Sequence, residues 1–399
     1  MTEASKKLRR LGLAAVFVLA ASGAAAQLQE FSTGQRNLAC GSPAATGDGW
    51  PIATPESVGL DGPRLCGIAV RLVATNANVH AVVIVRHGKL VFEQYFPGYD
   101  EPWGLGGGQH DFDSATKHDM RSVSKSVISL LVGIAIDREL IKSVDEPVVK
   151  FFPDYSAVKS PGWDKITLRH LLTMSSGIKW DENRAWKDPE NDEPHLGSEA
   201  DPYRYVLSKP IAAPPDTVWT YNGGGTDLLG NIIERVTGQS LEAFAREALF
   251  APLGISDWEW MKYRNEHVAS AVGLRLRPRD AAKIGQLVLN KGEWAGRRIV
   301  SSKWIEQSVT PRFQAVGYFG GLFYYGQHWW MGRTLSGEND VKWIAAMGLG
   351  GQRLFIVPEL DLVVMTTSGL YGSGRQGHAA LDILANFIIP HVRDRNEAR

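Results

Sequence analysis

The sequence predicts an α+β fold. An antiparallel β-sheet is built from both chain termini and flanked by helices, and a mainly helical region is inserted between its parts. Three observations predict it. β-rich runs lie near both ends, apolar residues at helical spacing fill the middle, and Gly and Pro punctuate that middle. The first hairpin is residues 80–85 (H-A-V-V-I-V) and 90–96, with Arg86-His87-Gly88-Lys89 as the turn. Its counterpart is residues 353–357 and 362–367, flanking Pro358-Glu359-Leu360-Asp361. Residues 377–391 read as a closing amphipathic helix. Between these ends, residues 168–174, 227–236, 241–249 and 279–289 carry the helical period. The breaks are Pro161-Gly162, Pro214-Pro215, Pro252, Gly254 and Pro278. The expected organisation is a leader over 1–26, a sheet domain from 27–150 and 270–399, and a mainly helical region over 151–269.

Composition narrows the function. The chain has 399 residues, 43 basic and 43 acidic side chains, 44% hydrophobic residues and two cysteines. This apolar content without biased tracts excludes a disordered chain. Balanced charge gives no footprint for nucleic acid. Two cysteines exclude a disulfide scaffold and a four-thiolate zinc site.

The N-terminus reads as a secretory signal. Lys6, Lys7, Arg9 and Arg10 precede an uncharged run over 11–26 that ends Ala24-Ala25-Ala26. The run is short for a membrane span of about 20 residues. Cleavage after Ala26 removes four basic residues and one acidic residue, which leaves 39 and 42 and a net charge of −3. A periplasmic or secreted protein with no remaining membrane span is expected. Arg9-Arg10 also permits a twin-arginine route. Export allows a Cys40–Cys66 disulfide, and two unpaired thiols are the alternative.

The search for chemistry is mostly negative. H-E-x-x-H, C-x-x-C, an EF-hand loop, a P-loop and G-x-S-x-G are all absent from the sequence. His110-Asp111-Phe112-Asp113 reads as a solvated loop, so no metal and no cofactor are expected. S-x-x-K occurs at Ser114/Lys117, Ser122/Lys125, Ser156/Lys159 and Ser176/Lys179. Only Ser122 opens a long helical run.

A serine in a helix's first turn sits at the positive end of the macrodipole. Lys125, three residues on, shares its face. Burial in an apolar helix is expected to lower the lysine pKa, so that neutral Lys125 accepts the serine proton. The bland alternative is an N-cap serine with a surface lysine. Two further elements join them. Tyr221-Asn222-Gly223-Gly224-Gly225 places a phenol before a glycine run and a helix, and a packed aromatic is its alternative. Gly348-Leu349-Gly350-Gly351-Gln352 enters a strand through glycines that expose backbone N–H groups.

These residues resemble the serine β-lactamase and penicillin-recognising group, in its class C and esterase-like branch. Within it the chain is most similar to the 6-aminohexanoate-dimer hydrolases. The resemblance covers roughly residues 50–390. It rests on Arg121-Ser122-Val123-Ser124-Lys125-Ser126, on residues 171–182 (L-L-T-M-S-S-G-I-K-W-D-E), on residues 221–230 and on residues 348–352. It implies that Ser122 is the acylated nucleophile, Lys125 its proton acceptor and Tyr221 the relay to the leaving group, with the primary base left open. It implies an oxyanion hole from the backbone N–H of Ser122 and of Gly351, in the Gly350-Gly351 region. Trp180, Asp181, Asn222 and Gly350 would border the substrate. Asp181 either pairs with a substrate amine or is a solvated loop carboxylate, and Trp329 and Trp330 either wall the pocket or belong to the core.

There are two departures from the lactamase pattern. Gly223 stands where it has the asparagine of Tyr-x-Asn, and Gly348-Leu349-Gly350 stands where it has Lys-Thr-Gly. Without that cation a β-lactam carboxylate loses a charge-assisted partner. The expectation is an exported serine hydrolase acting on a small ester or amide. The alternatives are a β-lactamase or D-alanyl-D-alanine peptidase, acyl transfer to an alcohol or amine, and a non-catalytic binding or sensor protein.

Overall fold

The computed structural model describes residue 40 and residues 43–315, 323–336 and 339–394. The expected leader lies outside the described residues. Val79–Arg86 (β1) and Lys89–Tyr95 (β2) form the first hairpin. His87 at φ 51° and Gly88 at φ 69° make its two-residue turn, and two left-handed residues match the twist of the strands they join. Phe313–Ala315 (β3), Phe323–Tyr325 (β4), Trp330–Ser336 (β5), Asn339–Gly348 (β6), Gln352–Val357 (β7) and Leu362–Ser368 (β8) complete one antiparallel sheet. Its order is β3-β4-β5-β6-β7-β8-β1-β2. The N-terminal hairpin therefore pairs with the last strand, with Ile84 opposite Val364. Every residue of β1, β7 and β8 is buried, so both faces of the sheet centre are covered. That burial explains their continuous rather than alternating apolar runs.

Four helices matter for the site. Gly62–Ala74 (α1) packs against the closing stretch, where a β-carbon at Gly67 would lie 3.3 Å from Phe387. Val123–Asp137 (α2) is buried from Val123 to Ala135, as a helix apolar on all sides must be. Its Gly133 admits Trp304, whose ring would lie 2.3 Å from a β-carbon there. Gly223–Thr237 (α3) lies beside α2, and Pro278–Leu289 (α4) packs on β1, β7 and β8. One core runs from Val83 and Val363 through α2 to Leu171, Ile232 and Phe250. Each fully buried Leu, Ile or Phe there contributes roughly 1.5–3 kcal/mol.

The closing stretch differs from the single helix expected. It is an α-turn at Ala379–Asp382, a π-helical segment at Ile383–Ile388 and a 3-10 turn at Ile389–His391. Pro390 supplies no N–H, so regular i to i−4 bonding ends there. Neither cysteine is a free thiol, and both are disulfide-bonded. Among the described residues no helix is long and apolar enough to cross a membrane.

Candidate active site

The short strand His118–Asp119 pairs with Leu274–Leu276, and Met120 N–H extends the contact to the Leu274 carbonyl at 2.9 Å. The chain then turns through Arg121 in the left-handed region, at φ 50°. A non-glycine residue holds that conformation only when its surroundings fix it. The Arg121 guanidinium lies 5.0 Å from the Tyr371 ring, 5.7 Å from the Trp103 ring and 3.4 Å from the Asp119 carboxylate. Ser122 follows at the N-terminus of α2, and its side chain makes no capping hydrogen bond. This removes the bland N-cap reading.

Lys125 lies one turn on and is 1% exposed. Its Nζ donates to Ser122 Oγ at 3.0 Å and to the Ala271 carbonyl at 3.2 Å. Tyr221 joins them: its ring centroid is 4.8 Å from Lys125 Nζ, and its phenol is in hydrogen-bond contact with Ser122 and Lys125. The ring is held among Trp219 at 6.0 Å, Trp330 at 5.8 Å and Tyr325 at 6.2 Å. Trp330 thus flanks the site, whereas Trp329 lies wholly in the core.

The glycine run after Tyr221 is a packing requirement. Asn222 caps α3 by accepting the Gly225 N–H at 2.9 Å. A β-carbon at Gly224 would meet Trp180 at 2.6 Å and Val206 at 2.7 Å. One at Gly223 would lie 3.2 Å from Glu182 Oε2 and 3.9 Å from Lys125 Nζ. Glu182 Oε2 in turn accepts the Gly223 N–H and the Trp180 indole N–H, each at 2.7 Å. Asp227, one turn along α3, accepts from Ala271 N–H at 2.9 Å and Tyr263 Oη at 2.8 Å.

Nearby groups that carry negative charge when ionised, the Tyr221 oxygen first and then three carboxylates, reverse the expected lysine shift. Burial favours the neutral amine, but Tyr221, Glu182, Glu193 and Asp227 outweigh it and hold Lys125 above its usual range. The lysine therefore rests protonated. Burial also raises the Tyr221 phenol, despite the opposing charge of Lys125. It pushes Asp227 up to about 7, and burial with the nearby Glu182 pushes Glu193 up to about 7. Burial lowers His328 to about 3, so this ring is neutral.

The first residue of the Gly348–Gln352 turn abuts the two residues that precede Ser122. A β-carbon at Gly348 would lie 2.4 Å from the Met120 carbonyl and 3.1 Å from Arg121 Cβ. Gly350 N–H is already bonded to Gln376 Oε1 at 2.9 Å, and a β-carbon at Gly351 would face Ser368 and Leu370. Arg353 is buried, and its guanidinium donates to the carbonyls of Gly348 at 2.7 Å, Gln352 at 2.8 Å and Gln376 at 2.9 Å.

Asp181 is half-exposed. It accepts from Asn183 N–H at 3.0 Å and pairs with Arg184 at 2.9 Å. The neighbouring Glu182 is the carboxylate that turns inward. Glu182, Glu193 and Asp227 are not among the residues that the sequence marks for the site. The adjacency of Trp180-Asp181-Glu182 was its one available signal.

A serine, a lysine and a tyrosine thus meet at the head of a buried helix, beside an antiparallel sheet. The chain belongs to the Beta-lactamase family, which matches residues 68–386. It is 32% identical over 174 residues to lovastatin esterase from Penicillium rubens, covering 40% of this chain and 41% of that protein. It is 24% identical over 337 residues to 6-aminohexanoate-dimer hydrolase from Paenarthrobacter ureafaciens, covering 76% of each. In fold it is similar to the octameric penicillin-binding protein homologue from Pyrococcus abyssi, with a TM-score of 0.61 and 21% identity over 82% of this chain and 77% of that one.

Proposed function

We propose that this chain is an exported serine hydrolase that cleaves small ester or amide bonds through an acyl-enzyme on Ser122. One observation carries the reading: Lys125 Nζ stands 3.0 Å from Ser122 Oγ, with the Tyr221 phenol in contact with both.

Lys125 and Tyr221 act as one proton-holding pair. The pair rests with two protons and becomes reactive when it loses one. Ser122 Oγ then bonds to the carbonyl carbon and gives its proton to the pair. As the bond to the leaving group breaks, the pair passes a proton to that group. Water reverses the sequence: its proton goes to the pair, its oxygen to the acyl carbon, and Ser122 Oγ recovers a proton. The Ser122 N–H supplies one donor to the oxyanion, and the Gly348–Gln352 turn supplies the other.

An ester or amide is favoured over a β-lactam. No cation stands at Gly348, and Arg353 is bonded to the carbonyls of Gly348, Gln352 and Gln376. The relatives named esterase and dimer hydrolase support the same substrate class.

The test is hydrolysis of a short-chain p-nitrophenyl ester and labelling by a fluorophosphonate. Ser122→Ala should abolish both, and Lys125→Ala should slow hydrolysis by about 10²–10⁴-fold. Full activity in Ser122→Ala would remove the assignment.

A further inference from the structure

We propose that His80, Asp100 and His118 form a buried binding site for a divalent transition-metal ion of the zinc type, separate from the catalytic cluster. The three side chains offer ligand atoms that all lie within 4.8 Å of one another, and all three residues are buried.

Hydrogen-bond partners fix which nitrogen of each ring is bare. Asn78 Nδ2 donates to the carbonyls of Tyr99 and Gly369, each at 2.9 Å, and Asn78 Oδ1 accepts the Tyr99 N–H at 2.9 Å. The amide orientation is therefore set. His80 Nε2 lies 3.2 Å from that Asn78 oxygen and 3.1 Å from the Tyr99 carbonyl, both of which only accept. His80 Nε2 must carry a proton. His118 Nδ1 faces the Asp119 carbonyl at 3.1 Å and must carry one too.

The remaining nitrogens, His80 Nδ1 and His118 Nε2, then point lone pairs at each other across 2.9 Å, with Asp100 Oδ2 3.7 Å from His118 Nε2. Two lone pairs and a carboxylate converging in a buried space repel unless a cation lies among them. A shared proton would serve only the two nitrogens, and Asp100 Oδ1 would keep no hydrogen-bond partner. A metal ion takes all three.

The outer contacts match what a metal-binding histidine needs, since each ring donates its far N–H to a carbonyl oxygen. Tetrahedral zinc spaces two nitrogens about 3.3 Å apart, so ligation opens the gap by a few tenths of an ångström. The cradle is tight. Phe112 stacks on His80 at 4.1 Å, and β-carbons at Gly98 and Gly369 would lie 2.7 Å and 2.9 Å from the His80 ring. The ion would tie β1 to the segment that leads from His118 to Ser122, so it is structural and positions the nucleophile.

The test uses the full chain, produced in zinc-containing medium and dialysed, with metal counted by plasma mass spectrometry. About one zinc per chain is expected. Cobalt in its place should give ligand-field absorption, and added zinc should raise the Tm while a chelator lowers it. Asp100→Asn and His118→Gln should each lose the ion. His87→Ala, at the exposed His87–Asp361 pair, should keep it. Less than about a tenth of an equivalent in the wild type, with no cobalt spectrum and no Tm response, overturns the proposal and leaves a shared proton. Retention of zinc by both site variants overturns it as well. Neither outcome bears on Ser122, whose acylation is read separately.

Discussion

Glu182 and Lys125 meet at the backbone of Gly223, the first residue of α3. The carboxylate accepts its N–H at 2.7 Å, and the ammonium lies 3.9 Å from where a β-carbon would stand. A side chain at position 223 would press between the Glu182 carboxylate and the Lys125 ammonium. The same carboxylate helps to keep the lysine charged.

This arrangement predicts the pH dependence of the reaction. Lys125 and Tyr221 are both raised above their usual ranges, so the singly protonated pair is scarce at neutral pH. Hydrolysis of a p-nitrophenyl ester should rise with pH on the alkaline side. Glu182→Gln removes a charge that raises Lys125, so its limb should move to lower pH. A limb that stays in place, or moves upward, contradicts the pairing.

A second expectation concerns the turn at Gly348. An alanine there meets the Met120 carbonyl, a backbone atom that cannot swing aside. Gly348→Ala should push the turn away from Ser122 and slow fluorophosphonate labelling by about 10²–10³-fold, the scale of a lost oxyanion donor. Its stability cost should be about 1–3 kcal/mol. Unchanged labelling would separate this turn from the oxyanion.

How much of this was readable in the sequence follows from chain distance. Ser122 and Lys125 are one helical turn apart, so local spacing sufficed. Tyr221 was marked by its glycine run. Asp181 and Glu182 are adjacent and chemically alike, and nothing in sequence says which one turns inward. Direction there depends on Trp180 and Gly223, which meet only after folding. The lysine shift failed for the same reason: burial was legible, but the carboxylates opposing it arrive from three other segments. His80, Asp100 and His118 lie on separate strands or strand ends and have no motif spacing. The sheet was legible because its strands are strongly apolar. The irregular closing stretch was not, since its apolar spacing fits an α-helix as well as a π-helix.

A third prediction follows from Asp227. Burial raises its folded pKa from 3.8 to about 7. Between those values the folded protein holds a proton that the unfolded chain has lost, so this group's contribution falls as pH rises. Asp227→Asn cannot titrate. Its urea midpoint relative to wild type should therefore improve steadily from about pH 4 to about pH 7.5. Parallel curves would mean that Asp227 does not change its proton on folding.

A fourth concerns β-lactams. With no cation at Gly348 and Arg353 bonded to the Gly348 and Gln376 carbonyls, nitrocefin turnover should be poor beside that of a small ester. Turnover comparable to that of a dedicated lactamase would refute this.

The pairing of β1 with β8 carries one more consequence. The opening hairpin cannot find its neighbour until nearly the whole polypeptide has been made. Assembly must therefore wait for the final strand, and such distant pairing is slow. A version truncated before residue 362 would retain Ser122, Lys125 and Tyr221 yet leave two bare sheet edges, open to aggregation and unable to shape the crevice.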